Sequence, residues 1–113
     1  MKITVYTKAR KRYPSRETEY QVELTGKSAI AIYKNGQFCR SFILGEEAEY
    51  GSYNLIYTGK ITRISSKVVQ ITAYPGTISE RRHNLSLNEF CWRNHNFDAQ
   101  KVAAHNQNEM YYI

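Results

Sequence analysis

The run AIAIYKNGQFCRSFI, residues 29 to 43, sets the tightest limit on what this chain can fold into. Asn35-Gly36 at its centre is the pair that best tolerates the positive φ angles of a type I′ turn. Apolar residues alternate on both sides of it, so the run reads as a tight β-hairpin with Lys34 opposite Gln37. Continuing that pairing collects Ile30, Ile32, Cys39 and Ile43 on one face. The other face takes Ala29, Ala31, Tyr33, Phe38 and Phe42 around Arg40. Both faces are mostly apolar, and a ribbon of that kind belongs between two layers. Its aromatic face is expected to be covered by helices, by a second subunit or by a ligand.

Around this hairpin, residues 2 to 74 keep strand period at hairpin spacing, and helical spacing begins only after Ser86. Strands followed by helices imply an α+β fold. The expectation is an antiparallel curled sheet or small β-barrel of about six to seven strands over residues 2–80, capped by two C-terminal helices at 87–95 and 98–108. A chain of 113 residues suits a single domain, 1–113, that buries a core without metal or disulfides. Pairing residues whose numbers sum to 27 sets Ile3 against Leu24, Val5 against Val22 and Thr7 against Tyr20 on one face. The same register sets Lys8 against Glu19 and Arg10 against Glu17 on the other. Glu46 to Tyr50 reads as an acidic connection, followed by strands near 53–57, 60–65 and 68–74. Thr58-Gly59 is either a turn or a bulge. Tyr74-Pro75-Gly76-Thr77 suits a type II turn.

The net charge of +6 is local. Lys2, Lys8, Arg10, Lys11, Arg12 and Arg16 occur before any acid, and the remainder of the chain balances. If Glu19 and Glu17 neutralise Lys8 and Arg10, the loop KRYPSR, residues 11 to 16, is left as an unpaired basic tip. Of the ten tyrosines, Tyr20, Tyr33, Tyr50, Tyr53, Tyr57 and Tyr74 read as sheet packing. Tyr6 and Tyr13 are expected outside, beside the basic loop, where aromatic faces stack bases while arginines take phosphates.

Ser86-Leu87-Asn88-Glu89 has the form of a capping box, with Leu85 and Phe90 as a hydrophobic staple and Leu87, Phe90, Cys91 and Asn94 on one helix face. Asn88, Trp92 and His95 fall on another face. Arg81, Arg82, His83 and Asn84 before the helix also suggest an anion cradle, but Glu89 already occupies the amide-rich end. A second helix starting near Asp98 is expected to turn Ala99, Val102, Ala103, Asn106 and Met110 to one side.

Cys39 and Cys91 lack CxxC spacing, and His83, His95 and His105 make no metal-binding series, so no metal site and no cofactor are expected and the cysteines read as core residues. With no nucleophile motif or phosphate-cradling glycine loop, an enzyme is not expected either. The start of the chain alternates instead of running apolar and no membrane span is present, which implies a cytoplasmic protein with reduced thiols.

These features point to a non-enzymatic small binding protein for a polyanionic ligand, RNA or DNA, held by the basic aromatic loop through Lys11, Arg12, Tyr13 and Arg16. A second reading is an oligomer that binds or sequesters a small nucleotide in a pocket of Arg40, Arg81, Arg82, Trp92 and Arg93. A third is a protein inhibitor or adaptor with a basic surface. The composition resembles that of many small phage or mobile-element proteins, which is not a family signature. The tail Met110 to Ile113 and the aromatic face around Tyr33, Phe38 and Phe42 are the candidate contacts of a homodimer or higher homo-oligomer.

Overall fold

A computed structural model describes residues 2–7, 18–51, 57–96 and 98–111. Within them the elements are β1 (Lys2–Thr7), β2 (Thr18–Thr25), β3 (Ala29–Lys34), β4 (Gln37–Ile43), β5 (Glu47–Glu49), β6 (Thr58–Ile64), β7 (Val68–Ala73), β8 (Arg81–Ser86), α1 (Leu87–Asn94) and α2 (Ala99–Tyr111). The α+β class is as expected, but the single curled sheet or barrel is not. The strands form two antiparallel four-stranded sheets, β1-β2-β3-β4 and β5-β6-β7-β8, and neither closes on itself.

The split has a local cause. After Ile43 the chain turns through Leu44 and Gly45, and Gly45 sits at φ +92°, where an L side chain is strained. Glu47, Ala48 and Glu49 then pair with Lys60, Gly59 and Thr58, so the acidic connection is itself the edge strand of a new sheet. Backbone bonds from Gly45 N–H to Ile61 O (2.8 Å) and from Ile61 N–H to Glu46 O (2.9 Å) fasten this junction. Thr58-Gly59 is no turn: it lies inside β6, and a Cβ on Gly59 would come within 2.7 Å of Thr72 O. Most of the strand expected near 53–57 falls outside the described residues, and Tyr57 stands just before β6.

Registers depart from expectation by small steps. β1 pairs with β2 as Ile3↔Val22 and Val5↔Tyr20, two residues away from the expected pairing. A two-residue slip keeps every side chain on its face, so Ile3 still packs against a core that includes Val22 and Leu24. Glu19, however, pairs with Tyr6 and not with Lys8. Lys8, Arg10 and Glu17 lie outside the described residues. In the second hairpin Lys34 opposes Gln37 as expected, but the register shifts between Ile32 and Tyr33. One extra residue on β4 flips the remainder of that strand. Phe42 therefore faces inward opposite Ile30, 1% exposed, and Ile43 turns outward, 57% exposed.

One core joins both sheets. Tyr20, Val22, Ile30, Ile32 and Phe42 from the first meet Ala48, Ile61, Ile64, Val69, Ile71 and Leu85 from the second, with Leu87, Phe90 and Cys91 of α1 among them. Phe90 is fully buried, and its ring lies edge-on to Phe42 at 5.4 Å between centroids. The expected helix face is therefore the buried one, down to Asn94. That side chain accepts from Glu49 N–H (2.8 Å) and donates to Glu49 O (3.0 Å) and Phe90 O (3.1 Å), which satisfies an amide buried at the edge of the core.

α2 covers the outer face of the first sheet. Asp98 caps it by accepting from the amides of Gln100 and Lys101. Lys101 Nζ donates to Ser41 O and, at 3.0 Å, to Glu46. His105 stacks on Phe38 at 4.2 Å with rings 9° from parallel. The packed side of α2 is thus Lys101, Val102 and His105: Val102 is on the expected side, Ala99, Ala103 and Asn106 are exposed instead, and the side chain of Met110 lies outside what is described. No helix among the described residues is long and apolar enough to cross a membrane.

Candidate functional site

The residues expected to form a site are scattered. Lys11, Arg12, Tyr13 and Arg16 lie outside the described residues. Arg40 shares the inner side of β4 with Phe42; its guanidinium carbon lies 4.8 Å from the Phe42 ring centre and its buried Nε has no hydrogen-bond partner. Trp92 is 46% exposed on α1. Arg93 sits 5.4 Å over that ring and pairs with Glu89 at 3.2 Å, so these two are brought together and Arg93 is already engaged. Arg81 and Arg82 are successive residues of β8 and leave opposite faces of the second sheet. None of the five lines the grooves found among the described residues at β3–β4–α2 or at the β5–β6 end.

Residues 81 to 86 are a strand, and the Ser86 hydroxyl accepts from Glu89 N–H at 3.2 Å as an ordinary cap. Burial pushes the Cys91 thiol up to about 12, with a smaller contribution from Cys39, so Cys91 stays protonated and apolar in character. His95 is engaged by the Tyr20 hydroxyl and by the carbonyls of Cys91 and Trp92. Among the described residues no group of three or more His, Cys, Asp or Glu is placed to hold a metal.

A different cluster appears at one end of the second sheet, where β6 and β8 begin and β7 ends. Tyr50 N–H donates to Tyr57 O at 2.9 Å, which extends the edge pairing and sets the two rings 6.0 Å apart at 20°. Tyr50 in turn stacks on His83 at 4.1 Å. Tyr50 packs inward against the core, and Tyr57 is left 44% exposed. Tyr74 opens the β7–β8 turn, closed by Thr77 N–H to Tyr74 O at 3.3 Å, and is 66% exposed. It holds φ +51°, a left-handed conformation that costs a side chain of this size roughly 1 to 2 kcal/mol.

Tyr50, Tyr57 and Tyr74, with Glu47, Thr58, Gly59, Lys60 and Pro75, line an open groove of about 440 Å³. Cations stand at the same end. Lys60 and Arg82 both pair with Thr72, and Arg81 pairs with Ala73 beside it. Two strand spacings place the Lys60 and Arg82 backbones roughly 10 Å apart on one face. The nearest carboxylates restrain them weakly: Glu80 reaches Arg82 at 4.0 Å with both side chains exposed, a contact worth little. Strand pairing sets Glu47 opposite Lys60 at the sheet edge.

Arg81 and Arg82 were legible as candidates; Tyr57, Tyr74 and Lys60 were not. The missed signal is position: tyrosines directly before a strand and at the first residue of a turn sit where the pleated surface ends, so much of each ring is left to solvent. No protein family, curated protein or solved structure matches the chain, and the groove has to be read from its own geometry.

Proposed function

We propose that the chain is a non-enzymatic binding protein for single-stranded nucleic acid, and that the tyrosine-lined end of the second sheet takes a base while Lys60, Arg81 and Arg82 take neighbouring phosphates. The observation that carries this reading is the coincidence, at one sheet end, of two exposed tyrosines with three cations. Base stacking on aromatics beside a positive track is how sequence-tolerant single-strand binders work. A duplex hides its base faces, so stacked rings favour an unpaired strand. The basic segment of residues 1 to 16, with Lys11, Arg12, Tyr13 and Arg16 at its tip, adds long-range attraction and further phosphate contacts on the same reading.

Titration of a labelled single-stranded oligonucleotide tests it. Tyr57→Ala costs about 1 to 3 kcal/mol of binding with the salt dependence unchanged. Replacing Lys60, Arg81 and Arg82 together by Ala flattens the log–log salt slope by about 2.1, three phosphates at roughly 0.7 each. Absence of binding at low salt, or full affinity in both variants, contradicts the proposal.

A further inference from the structure

On the single-strand reading of the groove, we infer that the outer face of the second sheet is a phosphate track that leads away from the tyrosines and ends at Arg63. Its decisive feature is an irregularity in β6. Pairing runs Lys60↔Thr72 and Ile61↔Ile71, then shifts so that Arg63 meets Gln70 and Ile64 meets Val69. The extra residue breaks the in-out alternation: Ile61 and Ile64 are both buried, and Thr62 and Arg63, between them, are both exposed. A regular strand would have turned Arg63 toward the core. Bulges re-aim side chains in this way, and here the result is one more cation on the outer face.

The rest of that face is built to meet phosphates. Thr62 Oγ1 donates to Gln70 Oε1 at 3.0 Å, and Gln70 Nε2 donates to Asn84 Oδ1 at 3.1 Å, a polar ladder across three strands. No outward position of β6, β7 or β8 is acidic; the carboxylates lie on the rim, at Glu47 and Glu49 on the edge strand and Glu80 in the turn. Among the described residues Arg63 has no ion-pair partner. From the Lys60–Thr72–Arg82 row to the far end of β7 the face runs about 13 Å, room for roughly four phosphates at the 3.4 Å rise of a stacked strand. Charge complementarity and a length of several nucleotides single out a strand continuing from the groove as the occupant.

The test is a length series: thymidine 5′-monophosphate, then oligothymidylates of increasing length, against the wild-type chain and Arg63→Ala. Arg63 is exposed, so the substitution should leave folding intact, checked by melting. The track predicts affinity that climbs with each nucleotide up to roughly four, and an Arg63→Ala variant that binds the monophosphate normally but loses about 0.7 of the salt slope on longer strands. Monophosphate binding with a flat length series overturns the track and leaves the groove reading standing. No binding of any member overturns both. Equal displacement of the longest strand by an acidic peptide of matched charge would assign the face to a protein partner and overturn it as a nucleic-acid track.

Discussion

The two sheets carry similar strands and share one core, yet their outer faces have opposite fates. On the first sheet the polar and aromatic groups satisfy one another. Tyr33 donates to Glu23 at 3.1 Å, Lys101 bridges Ser41 and Glu46, and His105 lies flat on Phe38. A helix packs on part of that face, over Phe38 and Ser41, while Ile43 stays exposed. On the second sheet no helix among the described residues covers the outer face; strands β5 to β8 and their turns hold five cations, four besides the opposite-facing Arg81, against three carboxylates, and two exposed tyrosines mark its end. A surface that has closed on itself offers a partner little new free energy, because each contact must first be broken. A surface whose charges are held only by weak, exposed contacts such as Glu80 to Arg82 loses much less on binding.

Substitutions test whether the two outer faces differ in this way. The largest effect is expected in the shared core: Phe90→Ala should cost about 3 to 5 kcal/mol, and both sheets should melt in one transition by fluorescence and circular dichroism. Two separate transitions would mean the sheets are independent bodies and the contrast between them uninformative. Next is alkaline stability. An unfolded chain releases the Cys91 proton near its ordinary value of 9.0, whereas the folded chain holds it to about 12. The unfolded state binds fewer protons in that window, so stability falls as pH rises through it, by at most about 1.4 kcal/mol per unit from this group. Tyr20, raised chiefly by burial, pulls in the same direction. Denaturant midpoints measured from pH 8 to 11, with Cys91→Ala flattening the fall, check this.

Smaller effects separate the outer faces. Tyr74→Asn relieves a left-handed backbone and should raise stability by up to about 1 kcal/mol while weakening single-strand binding. Stability gained with binding unchanged would make the strain accidental. Lys101→Met should cost under about 1 kcal/mol, since its ion pair is partly exposed, and leave nucleic-acid affinity as it was. Affinity lost there would mean that the covered face takes part in binding.

Legibility followed locality. The Asn35-Gly36 turn, the Ser86 cap and the Leu87–Phe90–Cys91–Asn94 face were readable because each depends on residues within one or two turns of one another. The β1–β2 register was not, because two pairings that differ by two residues bury the same side chains and differ only in cross-strand contacts worth tenths of a kcal/mol. Nothing local announces a bulge, so Phe42 and Arg63 were each assigned or left without regard to the face they take. β5 and β8 escaped because one is three residues with only Ala48 buried, and the other is polar except at Leu85. α2 docks through the stem of Lys101 and the ring of His105, residues a hydrophobicity count places outside. In the site, the arginines of β8 were visible as charge; the groove was not, since it exists only where three strand ends and a turn meet.

The most direct test is amide chemical-shift mapping of the chain with a single-stranded oligonucleotide at low salt. Perturbations are expected to concentrate at residues 57–63, 74 and 80–84, with the amides of Tyr33, Phe38 and His105 unmoved. Perturbations centred on the first sheet and α2, with the second sheet silent, would contradict the proposal.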